Sequence, residues 1–247
     1  MSSDGSPYEK RVDAKGRVLS EKCIADEVPF EELPEGWVWA RLETALVNRD
    51  SERIPVSVAD RERLAKIYDY YGASGVIDKV DRYLFDKTLL LIGEDGANLL
   101  MRSKPIAFLA RGKYWVNNHA HVLDGINERY LEYIALFINS ISLAPYVTGT
   151  AQPKMNQAKM GSILIPIPPE SEQTRILAKV NELMPLVEEY GKLEDAREAL
   201  DAALPDRLRK SVLQMAVQGK LALQDPADEP ASVLLERIRE QRRKLIA

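Results

Sequence analysis

The chain has 247 residues, a 45% hydrophobic share and a formal net charge of −4. That is room for one large or two modest domains with a real core, and it argues against wholesale disorder. The mildly acidic balance counts against a protein that holds nucleic acid by bulk charge, though not against one that reads bases through a local basic face.

The N-terminus, Met1-Ser2-Ser3-Asp4-Gly5, has neither the basic start nor the apolar stretch of a secretory signal. Residues 1–35 are polar, charged and punctuated by Gly and Pro, which predicts a linker or arm ending in a turn at Leu33-Pro34-Glu35-Gly36. Cys23 lies in this arm as the single cysteine. No internal disulfide can form, a reducing cytoplasm is the expected home, and no base beside Cys23 marks it as a nucleophile.

From 36 to 170 short apolar runs alternate with Gly, Asn and Asp. Thr88–Ile92, Pro105–Ala110, Tyr114–Val116 and Ile163–Pro168 read as strands between turns. One amphipathic helix interrupts them over Glu128–Asn139, with Leu131, Ile134, Ala135 and Ile138 at i, i+3, i+4 and i+7. After Pro168-Pro169 the texture changes. Ser171 can cap a helix, with Glu172 suited to its first turn. Ile176, Val180, Leu183, Val187 and Tyr190 then form a heptad seam, which shifts phase to Leu193 and Leu200.

The long helix is predicted over 171–204, with Pro185 inside it. A turn at Pro205-Asp206 and a shorter helix stopping at Gly219 follow. The last helix runs from Ala231 and presents Leu234, Leu235, Ile238 and Leu245. The fold class is therefore α+β: a mixed, β-rich domain over 36–170, a long coiled-coil-forming helix over 171–204, and a helical region over 205–247 made of short helices. No apolar run approaches the ~20 residues that span a bilayer. The tail ends as a charged helix and the head begins as a linker, as in half of a tandem pair.

Catalytic motifs are missing. The chain has no Walker loop, no Gly-rich βαβ turn, no Gly-x-Ser-x-Gly elbow, and no Asn- or Asp-Pro-Pro-aromatic run of the amino-methyltransferase kind. Glu94-Asp95 in a Gly-bounded turn and His119-Ala120-His121, with both rings expected on one strand face, together suggest a stand-alone metal-dependent enzyme as an alternative. The simpler reading is a solvated turn and packing or edge-reading histidines. Asn117-Asn118-His119 at a strand end, and Gly149–Gln157 with Gln152, Lys154 and Asn156, look more like a reading surface. Their residue types pair with base edges.

The ordered set of segments resembles the specificity subunit of type I restriction–modification systems. It comprises Leu33-Pro34-Glu35-Gly36-Trp37, Tyr71-Gly72-Ala73-Ser74-Gly75 and Leu91-Ile92-Gly93-Glu94-Asp95-Gly96-Ala97. It continues with Asn117-Asn118-His119-Ala120-His121, Gly149-Thr150-Ala151-Gln152-Pro153-Lys154 and Ile165-Pro166-Ile167-Pro168-Pro169. Gln218-Gly219-Lys220-Leu221 and Asp228-Glu229-Pro230-Ala231-Ser232 complete it.

The resemblance implies a non-catalytic DNA-recognition subunit of a restriction system. Residues 36–170 would be a target recognition domain that reads one half of a split sequence. The long helix would be a spacer that packs antiparallel against another and docks the modification (methyltransferase) subunits. The chain itself would carry no cofactor. S-adenosylmethionine, ATP and Mg are expected on the methyltransferase and restriction subunits. Family members typically carry two recognition domains and two spacers, so a single copy of each implies a half-size form and a homodimer in the cytoplasm. The expected seam is Ile176, Val180, Leu183, Val187, Tyr190, Leu193 and Leu200, and the competing expectation is a truncated product that needs a different half subunit. Within this reading Gln152, Lys154, Asn156, Asn117, Asn118 and His119 are the candidate base readers, and Lys79, Arg82, Arg111 and Lys113 the candidate phosphate contacts.

Overall fold

The structure is a computed structural model that describes residues 7–30, 32–149 and 152–246. Thr150 and Ala151 of the segments quoted above lie outside the described residues, as do 1–6, 31 and 247. The chain divides into one unit up to Asn181 and a second from Glu182 on.

The first unit opens on β1 (Tyr8–Val12) and β2 (Val18–Cys23), an antiparallel hairpin. The expected featureless arm is thus corrected over these residues. Charge hid the strands: Lys10 pairs across to Glu21 at 3.3 Å, and the Asp13 carboxylate closes the turn by accepting the Lys15 and Arg17 N–H groups, each at 2.9 Å. The hairpin is held to the body through Arg41, whose Nη2 lies 2.8 Å from both Glu9 and Glu27.

Next come β3 (Val38–Arg41), α1 (Leu42–Ala45), β4 (Val47–Asn48), a 3-10 turn over Asp50–Glu52, α2 (Val58–Glu62), β5 (Tyr68–Gly72), β6 (Gly75–Val80), β7 (Phe85–Asp86) and β8 (Leu89–Gly93). Then follow α3 (Asn98–Met101), β9 (Ala107–Ala110), β10 (Lys113–Val116), β11 (Ala120–Asp124), α4 (Glu128–Ser140), α5 (Gln157–Gly161) and β12 (Leu164–Ile167). Two four-stranded sheets result, in the orders β6-β5-β10-β7 and β4-β11-β8-β9; β12 pairs β3. Only β10 with β5 is parallel among these pairs.

The core forms where the sheet of β8 and β9 meets α4. Asn127 caps α4 by accepting the Tyr130 N–H at 2.8 Å. The predicted stripe of Leu131, Ile134, Ala135 and Ile138 is buried against Leu90, Ile92 and Ile106. Burying each large aliphatic there is worth roughly 1.5–3 kcal/mol. Strand β8 is buried on both faces, which explains its continuous apolar run rather than an alternating one.

α6 (Glu170–Val217) is one helix of 48 residues, ~72 Å long at ~1.5 Å per residue. The expected end at 204 is corrected, because the helix runs through both Pro185 and Pro205. Each proline removes the donor for the carbonyl four residues back and crowds that carbonyl with its ring. The flanking Glu198-Ala199-Leu200-Asp201-Ala202-Ala203-Leu204 and Arg207-Leu208-Arg209-Lys210 are strong helix formers that outweigh this loss. The merged helix ends at the glycine expected to stop the separate shorter helix. Gly219 takes a φ of 68°, while the Lys220 N–H bonds the Met215 carbonyl and the Gly219 N–H bonds the Ala216 carbonyl.

The first turns of α6 belong to the globular unit. Trp37 Nε1 donates to Glu172 at 3.1 Å, and Ile176 and Leu177 pack on the main core. Ile176 is therefore half-buried by its own domain rather than free for a second helix, and the seam is corrected at that position. Leu183, Val187, Tyr190, Leu193 and Leu200 are exposed. α7 (Ala231–Ile246) closes the described chain with Leu234, Leu235, Ile238 and Leu245 exposed.

Candidate nucleic-acid interface

Three segments far apart in sequence meet at one end of the β8–β11 pair. The strands bring Gly93 opposite Ala120, and the Glu94 N–H donates to the His119 carbonyl at 2.9 Å. The loop before α5 docks on the same turn: the Met155 N–H donates to the Glu94 carbonyl at 2.8 Å and the Gly96 N–H to the Pro153 carbonyl at 3.0 Å. Gly93 must be glycine, because a Cβ there would lie 2.6 Å from both the Ala73 carbonyl oxygen and the Ile106 Cδ1. Gly149 starts the loop at a φ of +84°, with the Gln152 carbonyl 2.7 Å from where its Cβ would be.

Beneath this turn lies a buried network of charges. Arg53 Nη1 donates to Glu94 at 2.8 Å and to the Ala120 carbonyl at 2.7 Å. Lys154 Nζ reaches the other Glu94 oxygen at 3.1 Å. His121, only 1% exposed, bonds Asp50 through Nδ1 at 2.6 Å and the Met155 carbonyl through Nε2 at 2.9 Å. Burial pushes the Asp50 carboxyl up, but the His121 hydrogen bond and charge, the Val122 N–H and Arg53 outweigh it and hold it below its ordinary range. Burial acts on Glu94 in the same way and is outweighed by Arg53, His121 and Lys154.

The two histidines are not a pair. His119 stands in the turn before β11, exposed, with Nδ1 2.7 Å from Asp95, while His121 points into the core. The expectation of both rings on one strand face is corrected, because the strand begins only at Ala120. Glu94 faces Arg53 and Lys154 while Asp95 faces His119, so the two carboxylates do not converge. Among the described residues no group of three or more His, Cys, Asp or Glu could hold a metal.

The other sequence candidates fall into two places. Asn118, His119, Gln152, Lys154 and Asn156 are exposed around the docked loop. Asn156 also caps α5 by accepting the Lys159 N–H at 2.9 Å. Asn117 belongs to the same turn but is buried, and it spends its carbonyl on the His119 N–H at 2.8 Å. It shapes the turn rather than presenting an amide to solvent. Lys113 begins β10 and Asn117 follows its last residue, so the two stand about 13 Å apart at ~3.3 Å per residue.

Lys79 sits at Lys113's end of the sheet, since Asp69 faces both Lys79 and Tyr114. Lys79 pairs with Asp69 at 3.1 Å, and Lys113 lies 3.8 Å from Asp86 and 4.8 Å from the centre of the Tyr83 ring. Arg82 lies 3.5 Å from Asp81 and 5.9 Å from the centre of the Trp115 ring. Arg111 pairs with Glu128 at 2.6 Å and Glu132 at 2.9 Å. These four cations are partly neutralised, and the fold does not join Lys79 and Lys113 to the amide loop. Asp50 and Arg53, the foundation of the loop site, carried no recognisable signal in the charged run Arg49-Asp50-Ser51-Glu52-Arg53.

The polar loops thus stand on a mixed sheet domain that is followed in the chain by a long helix with exposed apolar residues. Residues 49–188 match the model of the type I restriction modification DNA specificity domain, and the chain belongs to that family. The matched segment is thus a DNA specificity domain. Among curated relatives it is 31% identical to the EcoAI specificity subunit and 29% identical to the EcoEI specificity subunit of Escherichia coli, in each case over 94% of the chain. Those matches cover 49% and 48% of the relatives, so the chain spans about half their length. A putative specificity subunit of Haemophilus influenzae, S.HindORF215P, is 37% identical over 49% of the chain and 31% of its own length. A solved structure described as the basis of complex assembly and conformational transition of the type I R-M system shares the fold. Its TM-score is 0.51 at 17% identity, over 78% of this chain and 48% of that one.

Proposed function

We propose that the chain reads one half-site of a bipartite DNA target, pairs through α6 with a second copy of itself to set the half-site spacing, and docks methyltransferase subunits. The observation that carries this is the docked loop. Lys154, Gln152, Asn118 and His119 stand exposed on a rigid, charge-latched turn, and they are the residue types that contact base edges and phosphates. Leu183, Val187, Tyr190, Leu193 and Leu200 supply an exposed apolar edge on α6. Two-fold pairing would present two identical readers to inverted half-sites. A gel shift on duplex DNA, with the modification subunit added, tests the reading. Retarded duplex that specific unlabelled target competes away is expected; no retardation with or without that subunit refutes it. Light scattering at micromolar concentration tests the pairing, for which a monomer would be the contrary result.

A further inference from the structure

The chain has two histidines, and His121 is the one the reading surface does not use. Its ring lies between two acceptors: a carboxylate oxygen of Asp50 at 2.6 Å and the main-chain carbonyl of Met155 at 2.9 Å. A carbonyl only accepts, and Asp50, held ionised, only accepts. A ring with one proton would aim a lone pair at one of these oxygens. The geometry is satisfied when both ring nitrogens donate. Asp50 is anchored in turn, since its other oxygen accepts the Val122 N–H at 2.8 Å. The charged groups facing the ring are Asp50 and Arg53 from the 3-10 turn and its end, Glu94 at 3.9 Å from the end of β8, and Lys154 beyond Glu94 from the loop. Met155 is fully buried and follows Lys154 directly, so the bond from His121 holds the backbone of the loop that carries Gln152, Lys154 and Asn156.

We propose that His121 is a positioning residue for DNA recognition, a two-ended latch that ties Met155, and with it the 152–156 loop, to the Asp50 turn. This rests on the DNA-reading function above. Binding is strongest when the contacting groups are ordered before the partner arrives, so a loosened loop loses affinity without losing a contact residue.

The test uses the full chain with its modification subunit. Selective 15N labelling of histidine in a His119→Ala variant leaves the single ring of His121, and two ring N–H signals are expected from it; one signal overturns the latch. In His121→Gln, exchange of the Met155 and Lys154 amides with deuterated water is expected to rise about tenfold or more, with amides of β8 and β9 unchanged. Target DNA affinity is expected to fall about tenfold. Loop exchange equal to the parent's overturns the latch. A loosened loop with unchanged DNA affinity overturns the positioning role. If His121→Gln does not fold, Asp50→Asn carries the same readouts, since it keeps the side-chain shape but removes the charge that anchors the ring, and with it the hold on Met155. A parent chain that binds no DNA, with loop exchange still governed by His121, overturns the DNA reading and supports the latch.

Discussion

Replacing Arg53 by methionine removes a guanidinium that is mostly buried and keeps most of the side-chain length. Four interactions go with it: those to Glu94 at 2.8 Å, to the Ala120 carbonyl at 2.7 Å, to the Asp50 carbonyl at 3.1 Å and to the Asp50 carboxylate at 3.4 Å. Removing one partner of a buried ion pair costs about 3–5 kcal/mol, because the remaining charge stays desolvated. Glu94 keeps Lys154 and Asp50 keeps His121 and the Val122 N–H, so the lower end, about 3 kcal/mol, is expected. At the ~2–4 °C per kcal/mol of a domain this size, the midpoint should fall by about 6–12 °C. Thermal unfolding followed by tryptophan fluorescence reads this, and Trp115 is a local reporter because its indole donates to the Ile54 carbonyl next to Arg53 at 2.6 Å. A loss below about 1 kcal/mol would refute the reasoning, since it would place the network in effectively screened surroundings.

Four further outcomes follow from the same geometry. Leu183→Glu with Val187→Glu should weaken self-association about 100-fold, near 3 kcal/mol for two charges placed in an apolar seam, as read by sedimentation equilibrium. Gly93→Val should cost about 1–3 kcal/mol in a denaturant melt, because neither the Ala73 carbonyl nor Ile106 has space to yield. Asp50 and Glu94 titrate lower in the fold than in the unfolded chain. Their contribution is therefore fully present above the ordinary carboxylate range of about pH 4 and is lost as pH falls below it; Asp50→Asn should flatten that acid limb of stability against pH. Lys154→Ala should weaken DNA binding and lower the salt slope of log Kd by about 1, because it removes one cation from the reading surface.

Periodicity made part of this legible in the sequence. The α4 stripe and the apolar runs of β8, β9, β10 and β12 mark buried faces directly. The β1–β2 hairpin escaped because its cross-strand partners are Lys, Glu and Arg, which look like a solvated arm until Arg41, 32 residues from Glu9, is seen to collect them. Pro205 read as a stop because a proline's local effect is visible in sequence, whereas the helix propensity around it acts as a sum. The three loops of the candidate interface were each visible by composition, but their meeting point was not. It depends on β8 and β11 being paired, and on Asp50 and Arg53 contributing from some 70 residues upstream of His121.

The central claim is that two copies of this domain, paired through α6, read two halves of one DNA site. Mapping methylated adenines genome-wide in host cells, with and without the gene for this chain, tests it most directly. The account predicts a methylated motif of two inverted half-sites separated by a fixed gap, which disappears when the gene is deleted. A contiguous or asymmetric motif, or methylation that persists after deletion, would contradict it.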